Sequence, residues 1–224
     1  MDLILFGMQG SGKGTLGKEL AKTFNMQIFE TGAEFRKLST ENSPLGLNIK
    51  SIIESGALVE NNITMKIVEN FIEHADLSRN IIFDGIPRSI IQAKTFKKLL
   101  KNYNRNYKAI LLEIDETTAL RRLTTRKMCK ECKHIYPSSY QESLCNQILK
   151  NGKVCNGELH SRKDDIPEAI KIRLDAYKKE TIPALKLFKD DMIIINGQPS
   201  EDGKSSIEIV RENAIKIISP ILKK

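Results

Sequence analysis

The sequence predicts an α/β fold, a parallel sheet flanked by helices, on three observations. Short β-like runs alternate with longer helical patterns along most of the 224 residues. Apolar runs such as Ile110-Leu111-Leu112 are continuous rather than alternating, as in strands buried on both faces. A glycine-rich turn follows the first such run directly and opens a helical pattern.

Taken in order, strands are expected at residues 3–6, 27–29, 81–83, 109–114 and 192–195. Helices are expected at 13–24, 33–39, 63–74, 90–101, 117–126, 168–188 (with a break at Pro183) and 206–218. Two stretches stand outside the alternation. Residues 31–62 read as a small helical insertion, with Pro44-Leu45-Gly46 and Ser55-Gly56 as breaks. Residues 127–162 are polar and turn-rich, with Tyr136-Pro137 and Asn151-Gly152 as turn signals. The core is therefore expected to comprise residues 1–30, 63–126 and 163–224. There is no internal repeat and no low-complexity tract.

Composition excludes several classes. Hydrophobic residues are 40% and charged residues 29%, which suits a globular chain rather than a disordered one. No apolar run approaches the roughly 20 residues that span a bilayer, so no membrane partner is expected. The apolar stretch before Gly7 is too short for a secretory leader, and a cytoplasmic location is the expectation. The net charge of +8 is concentrated: between Arg121 and Lys163 ten Lys or Arg face three Glu. Such a surplus fits a nucleic-acid surface or a lid that closes over phosphates. The four cysteines, Cys129, Cys132, Cys145 and Cys155, fall in the same segment. In a cytosolic protein that clustering reads as metal ligation before disulfides.

The sharpest motif is Gly7-Met8-Gln9-Gly10-Ser11-Gly12-Lys13-Gly14-Thr15, between a strand and a helix. It follows the phosphate-loop pattern GxxxxGK[ST] as far as Lys13, with the hydroxyl one place late at Thr15. Glycines let backbone N–H groups turn onto phosphates, and the helix N-terminus adds positive potential. Lys13 supplies a charge to the β- and γ-phosphates, and the Thr15 hydroxyl can reach Mg²⁺ directly or through water. The loop alone names no substrate.

Further motifs do. The sequence resembles the adenylate kinases from end to end. The loop reads GMQGSGKGTL where that family has G-x-P-G-x-G-K-G-T-Q. Glu30-Thr31-Gly32-Ala33-Glu34-Phe35-Arg36 resembles S-T-G-D-x-[LF]-R, and Gly56-Ala57-Leu58-Val59 resembles G-x-L-V. The run from Asp84-Gly85-Ile86-Pro87-Arg88 to Gln92-Ala93 is similar to D-G-[FY]-P-R-x-x-x-Q-A. Arg122 and Arg126, then Arg162-Lys163-Asp164-Asp165 and Arg173, align with arginines that bracket and follow the family's lid.

The resemblance implies a P-loop NTPase fold with a five-stranded parallel sheet, a helical AMP-binding insertion at 31–62 and a cysteine-containing lid at 127–162. It implies reversible transfer between ATP and AMP, with ADP as the other partner, by a monomer that uses Mg²⁺ with ATP. ATP would meet Gly10, Ser11, Gly12, Lys13, Gly14, Thr15, Arg122, Arg126 and Gln198. AMP would meet Thr31, Gly32, Arg36, Gly56, Leu58, Val59, Gly85, Arg88, Gln92, Arg162 and Arg173. Lys13, Asp84, Arg88, Arg126, Arg162 and Arg173 would carry catalysis, Asp84 by orienting Mg²⁺ and its waters. The planar, permanently charged fork of arginine suits phosphate. Gln92 can pair donor and acceptor with the amino edge of adenine. Thr31 either contributes to base choice or caps the helix beginning near Ala33, and both roles are compatible.

The departures are Met8-Gln9 for x-Pro, Leu16 for Gln, Ala33 for Asp, and Asn196-Gly197 for Asp-Gly. In zinc-bearing members the lid has two CxxC pairs. Here the first is intact and the second is stretched to Cys145-x9-Cys155. A structural Zn²⁺ still fits if residues 146–154 loop out as a hairpin, with His134 and His160 as spare ligands. UMP or CMP kinases usually carry Ala where this chain has Thr31, and are the nearest rival. A nucleic-acid binder with a zinc-ribbon-like lid is a rival of another class, but the lid has few aromatics for stacking (Tyr136 and Tyr140), and no nucleic-acid partner is expected.

Overall fold

The chain begins as β1 (Asp2–Phe6), buried from end to end, and turns through the glycine-rich loop into α1 (Lys13–Thr23). Then come β2 (Gln27–Glu30), α2 (Thr31–Leu38), α3 (Pro44–Ser55) and α4 (Asn61–Glu73). β3 (Ile81–Asp84), α5 (Ile90–Asn102), β4 (Tyr107–Glu113) and α6 (Glu116–Thr125) continue the alternation. Three short strands follow, β5 (Lys127–Cys129), β6 (Ile135–Tyr136) and β7 (Leu159–His160). α7 (Pro167–Ala176) runs through a π-helical turn (Tyr177–Thr181), α8 (Ile182–Leu185) and a 3-10 stretch (Lys186–Asp191) into β8 (Met192–Asn196). The last helix is α9 (Ser206–Leu222). The computed structural model describes residues 1–137, 139–162, 164–199 and 206–222; Lys163 of the arginine motif lies outside them.

The main sheet has five parallel strands in the order β2-β3-β1-β4-β8. Alternate residues of β1 serve opposite faces, as the period of a strand requires. Ile4 and Phe6 pack with Phe83, Phe96 and Phe188 on one side. Leu3 and Leu5 pack with Leu16 and Leu20 of α1 and with Val210, Ala214 and Ile218 of α9 on the other. Both faces are thus covered, which is why the strands read as unbroken apolar runs. At the end of the sheet where β1 starts, Asp2 and Arg105 form a buried pair at 2.5 Å, and Asp2 also accepts the Ile81 N–H at 2.8 Å. That carboxylate ties together the starts of β1 and β3 and the turn that leads into β4. The strand ends facing the opposite way are left to carry chemistry.

Every expected strand is present, most of them a residue or two longer. The helical segments differ more. Pro44 starts α3 rather than merely breaking a helix, because Ser43 caps it by accepting the Gly46 N–H at 3.0 Å and proline lacks only an N–H that is unpaired there anyway. Gly56, at φ 82°, closes that helix in a left-handed conformation. At Pro183 the chain does not break. It widens into a π turn over Tyr177–Thr181 just ahead of the proline, where the regular N–H bond cannot form. α2 starts at Thr31, with Glu30 in the cap position, so Thr31 does not cap a helix beginning at Ala33.

The three short strands form a separate antiparallel sheet, β6-β5-β7. Its apolar centre is small: Cys129, Tyr136 and Cys145, with Tyr140 and Leu159 against them. Among the described residues no helix is long and apolar enough to cross a membrane.

Candidate active site and cysteine cluster

The glycine-rich loop leaves β1 at Gly7 and enters α1 at Lys13, with Gly7, Gly10 and Gly12 at φ 145°, 83° and 99°. Gly10 tolerates no side chain, since a β-carbon there would lie 2.8 Å from the Ala119 carbonyl oxygen. The Lys13 ammonium folds back onto its own loop and donates to the carbonyls of Gly7 at 2.6 Å and Met8 at 2.9 Å. Burial pushes its pKa down to about 8, against the pull of Asp84. The same burial raises the Asp84 carboxyl, partly offset by Lys13 and Arg88.

These groups face one cavity of roughly 550 Å³. Into it come the loop residues Gly10 to Thr15, the α2 residues Thr31, Gly32 and Arg36, the chain around Gly56, Leu58 and Val59, and Asp84, Gly85, Arg88 and Gln92 beyond β3. Arg122 and Arg126 of α6, Arg162, and Arg173 of α7 complete it. Every nucleotide-site residue named from the sequence is there except Gln198. Its side chain instead holds α6, donating to Asp115 at 2.9 Å and meeting the Thr118 hydroxyl at 3.1 Å, while its neighbours Gly197 and Pro199 line the cavity.

The cations are individually positioned. Arg88 donates to the Gly85 carbonyl at 2.8 Å, and Thr181 of the π turn bonds the Arg88 carbonyl at 3.0 Å. Arg126 makes a two-pronged pair with Asp165 at 2.6 and 2.7 Å, and Arg173 reaches Asp164 at 3.1 Å and the same Asp165 at 3.2 Å. Arg122 donates to the Gly197 carbonyl at 3.1 Å and to Ser11 at 3.3 Å, bracing the loop from α6. Arg162 differs: its Nε is buried without a partner among the described residues, and burial, with Arg126 and Arg36 nearby, pushes its pKa down. Arg36 and Arg88 are likewise lowered by burial. So many partly buried positive groups converging on one space call for a polyanion.

The Thr31 hydroxyl donates to the Asp84 carbonyl at 3.0 Å, tying α2 to β3. Gln92 is buried, and its Oε1 accepts the Arg88 N–H at 2.7 Å, using one of that oxygen's two lone pairs. Sequence reasoning missed Gln9, Arg121, Tyr136, Ile207, Val210 and Arg211, all of which line the cavity. The α9 residues had one signal, an apolar spacing at Ile207, Val210 and Ala214, but nothing in it tells cavity from core.

In the small sheet the four thiols come together, all four Sγ atoms within 4.8 Å of one another. Cys129 and Cys155 are 3.7 Å apart, and Cys132 and Cys145 3.4 Å. A tetrahedral Zn–S site with bonds of about 2.3 Å has sulfur–sulfur edges of about 3.8 Å, so the donors fit. Residues 146–154 do loop out as a hairpin: Ile148 bridges Val154, Leu149 donates to Lys153 at 2.9 Å, and Cys155 to Gln147 at 2.8 Å. The spare histidines are not in the cluster. Burial would raise the Cys129 thiol, but backbone N–H groups of Cys132 and Glu131 bring it down to about 7, while burial pushes the neighbouring Cys132 thiol up to about 12.

A parallel sheet with a glycine-rich loop leading from its central strand into α1 and a cationic cavity above defines a P-loop nucleotide-phosphate protein. The family profile for adenylate kinase matches residues 5–193, and the chain belongs to that family. It is 37% identical to an adenylate kinase of Borrelia duttonii over the full length of both chains. It is 36% identical to one of Borreliella burgdorferi, covering 97% of this chain and 98% of that one. An adenylate kinase of Pseudothermotoga lettingae is 32% identical, over 98% of this chain and all of its own.

Proposed function

We propose that the chain catalyses the reversible reaction ATP + AMP to 2 ADP. The observation that carries this reading is the convergence of Arg36, Arg88, Arg126, Arg162 and Arg173, from separate stretches of chain, on the cavity that also holds Lys13. A single nucleotide does not need so many cations, whereas a phosphoryl group passing between two nucleotides does. An oxygen of the AMP phosphate attacks the γ-phosphorus of ATP, and the bond from that phosphorus to the β–γ bridging oxygen breaks. Two ADP result. An ionised AMP phosphate needs no base.

In this scheme ATP lies on the loop and Lys13, with Arg122 beside its base. AMP lies between α2, the Gly56–Val59 chain and Arg88. Asp164 and Asp165 hold the guanidinium forks of Arg173 and Arg126 in place, so those charges need no reorganisation when phosphate arrives. Residues 31–62 act as the AMP-binding insertion and 127–162 as a lid, and their closure excludes water that would otherwise hydrolyse ATP. Thr15 and Asp84 offer hard oxygen donors, and Asp84 forms no salt bridge with another described residue, which suits Mg²⁺ or its water shell. Bound with ATP, Mg²⁺ would neutralise charge on the phosphates. A Zn²⁺ held by Cys129, Cys132, Cys145 and Cys155 would brace the lid without entering the chemistry. Four free thiols at metal-binding separation suit a reducing compartment such as the cytoplasm.

A coupled assay for ADP formed from ATP plus AMP tests the reading. ADP that appears only when both nucleotides are present is the expected result. ADP formed equally well with UMP or CMP would move the chain to another acceptor class.

A further inference from the structure

Glu30 is a cavity residue to which the family pattern assigns no role. It stands where that pattern has Ser, three places before Ala33, where the pattern has Asp. As the cap residue of α2 its side chain could accept the N–H groups of that helix, yet it makes no capping bond. Its carboxylate reaches across the strand ends instead. Glu30 and Asp84 are register partners on the parallel strands β2 and β3. A β-carbon at Gly14 would lie 3.4 Å from Asp84 Oδ2 and 3.4 Å from Glu30 Oε1, so the two carboxylates face the same point at the first turn of α1. Gly14 lies between Lys13 and Thr15. Two carboxylates so close repel each other unless a cation lies between or beside them. Lys13 and Arg88 lie on the Asp84 side, whereas Glu30 Oε2 has Lys18 at 3.6 Å, with a side chain 47% exposed, a loose pair of small worth.

We propose that Glu30 positions the metal of the ATP complex: with Asp84 it supplies the second carboxylate around the hydrated divalent cation. The proposal rests on the reading of the chain as a kinase that uses ATP with Mg²⁺. It makes Glu30 a positioning residue acting through the cation's water shell. A hydrated Mg²⁺ keeps several waters and is commonly held through one or two carboxylates together with phosphate oxygens, so the donor set matches the ion.

The test begins with ADP formation by the wild-type chain; if it forms none, the kinase reading itself fails and Glu30 is not at issue. With that activity in hand, ATP affinity is measured by titration calorimetry in Mg²⁺ and again in EDTA, for the wild type, Glu30→Gln and Glu30→Asp. Glu30→Gln removes a negative charge near the phosphates, so metal-free ATP should bind as well as before or better, while ATP with Mg²⁺ should bind more weakly. The ratio of the two affinities should fall about tenfold, and Glu30→Asp should keep most of it. A role confined to holding Lys18 would change both affinities alike. An unchanged ratio in Glu30→Gln, whatever happens to overall affinity or melting temperature, overturns the proposal.

Discussion

The phosphate loop and the cysteine-bearing sheet reach order by opposite means. The loop springs from β1, whose residues are buried to 2% exposure or less and lie between two apolar layers. With that support the cavity above it gathers a partly buried ammonium and several partly buried guanidinium groups, each costly to desolvate on its own. The cysteine-bearing sheet has strands of two or three residues and a centre made largely of sulfur and tyrosine. It has too little apolar surface to order itself, and four thiols stand where a larger core would be. Charge is concentrated where the scaffold is strong, and the four thiols are gathered where it is weak.

Breaking the first region should hurt chemistry before stability. Lys13→Met is expected to lower kcat about a thousandfold, the scale of losing one preorganised charge at a transition state. Its melting temperature should hold or rise. The buried ammonium, with a pKa near 8, is protonated less readily than in the unfolded chain, so it makes stability increase with pH between about 8 and the ordinary lysine value. A mutant with near-normal turnover would refute the loop assignment. Arg88→Ala comes next, with AMP use down about a hundredfold and ATP binding, measured without AMP, within about twofold. Equal damage to both nucleotides would put Arg88 on the wrong side of the site.

The second region should respond the other way. Stripping metal with a chelator is expected to lower the melting temperature by roughly 5–10 °C, about 2–3 kcal/mol for a chain this size, while activity persists at low temperature. Metal analysis of the untreated protein should find one zinc per chain, and Cys145→Ser should reduce it. Undiminished zinc in Cys145→Ser would place the fourth ligand elsewhere.

Smaller effects sharpen the comparison. Phosphate binding favours protonated Lys13, so ATP affinity should be level below about pH 8 and fall about tenfold per unit above it. A flat profile to pH 9.5 would separate Lys13 from ATP binding. Smallest is Thr31→Ala, expected to raise UMP or CMP use relative to AMP a few-fold. Its hydroxyl ties α2 to β3 and is not a cap, so an unchanged ratio would leave it as a brace between those elements.

The five strands were legible because burial on both faces leaves them little choice of residue. The cavity was legible because phosphate chemistry fixes residue types at fixed spacings. What escaped depends on side-chain direction. Gln198 sits beside the cavity by backbone, yet its amide is drawn to Asp115 and Thr118, two polar partners on a helix distant in sequence. Glu30 and Asp84 are 54 residues apart, and only the strand register makes them neighbours. The π turn at Tyr177–Thr181 leaves no composition signal beyond the proline it accommodates.

The hairpin between Cys145 and Cys155 shows that distance along a chain and distance in space can be set independently. Its two ends are closed by Cys155 N–H to the Gln147 carbonyl at 2.8 Å, so whatever lies between is invisible to the thiols. Its tip is open: a β-carbon at Gly152 would meet nothing within 4 Å. Lengthening a loop that already closes costs little entropy, and exposed tips are where insertions are best tolerated. The tip is therefore a natural attachment point. A dye, an affinity tag or a short peptide grafted at Asn151-Gly152 would ride on the cysteine-bearing sheet and report its movement without disturbing either the thiols or the cavity.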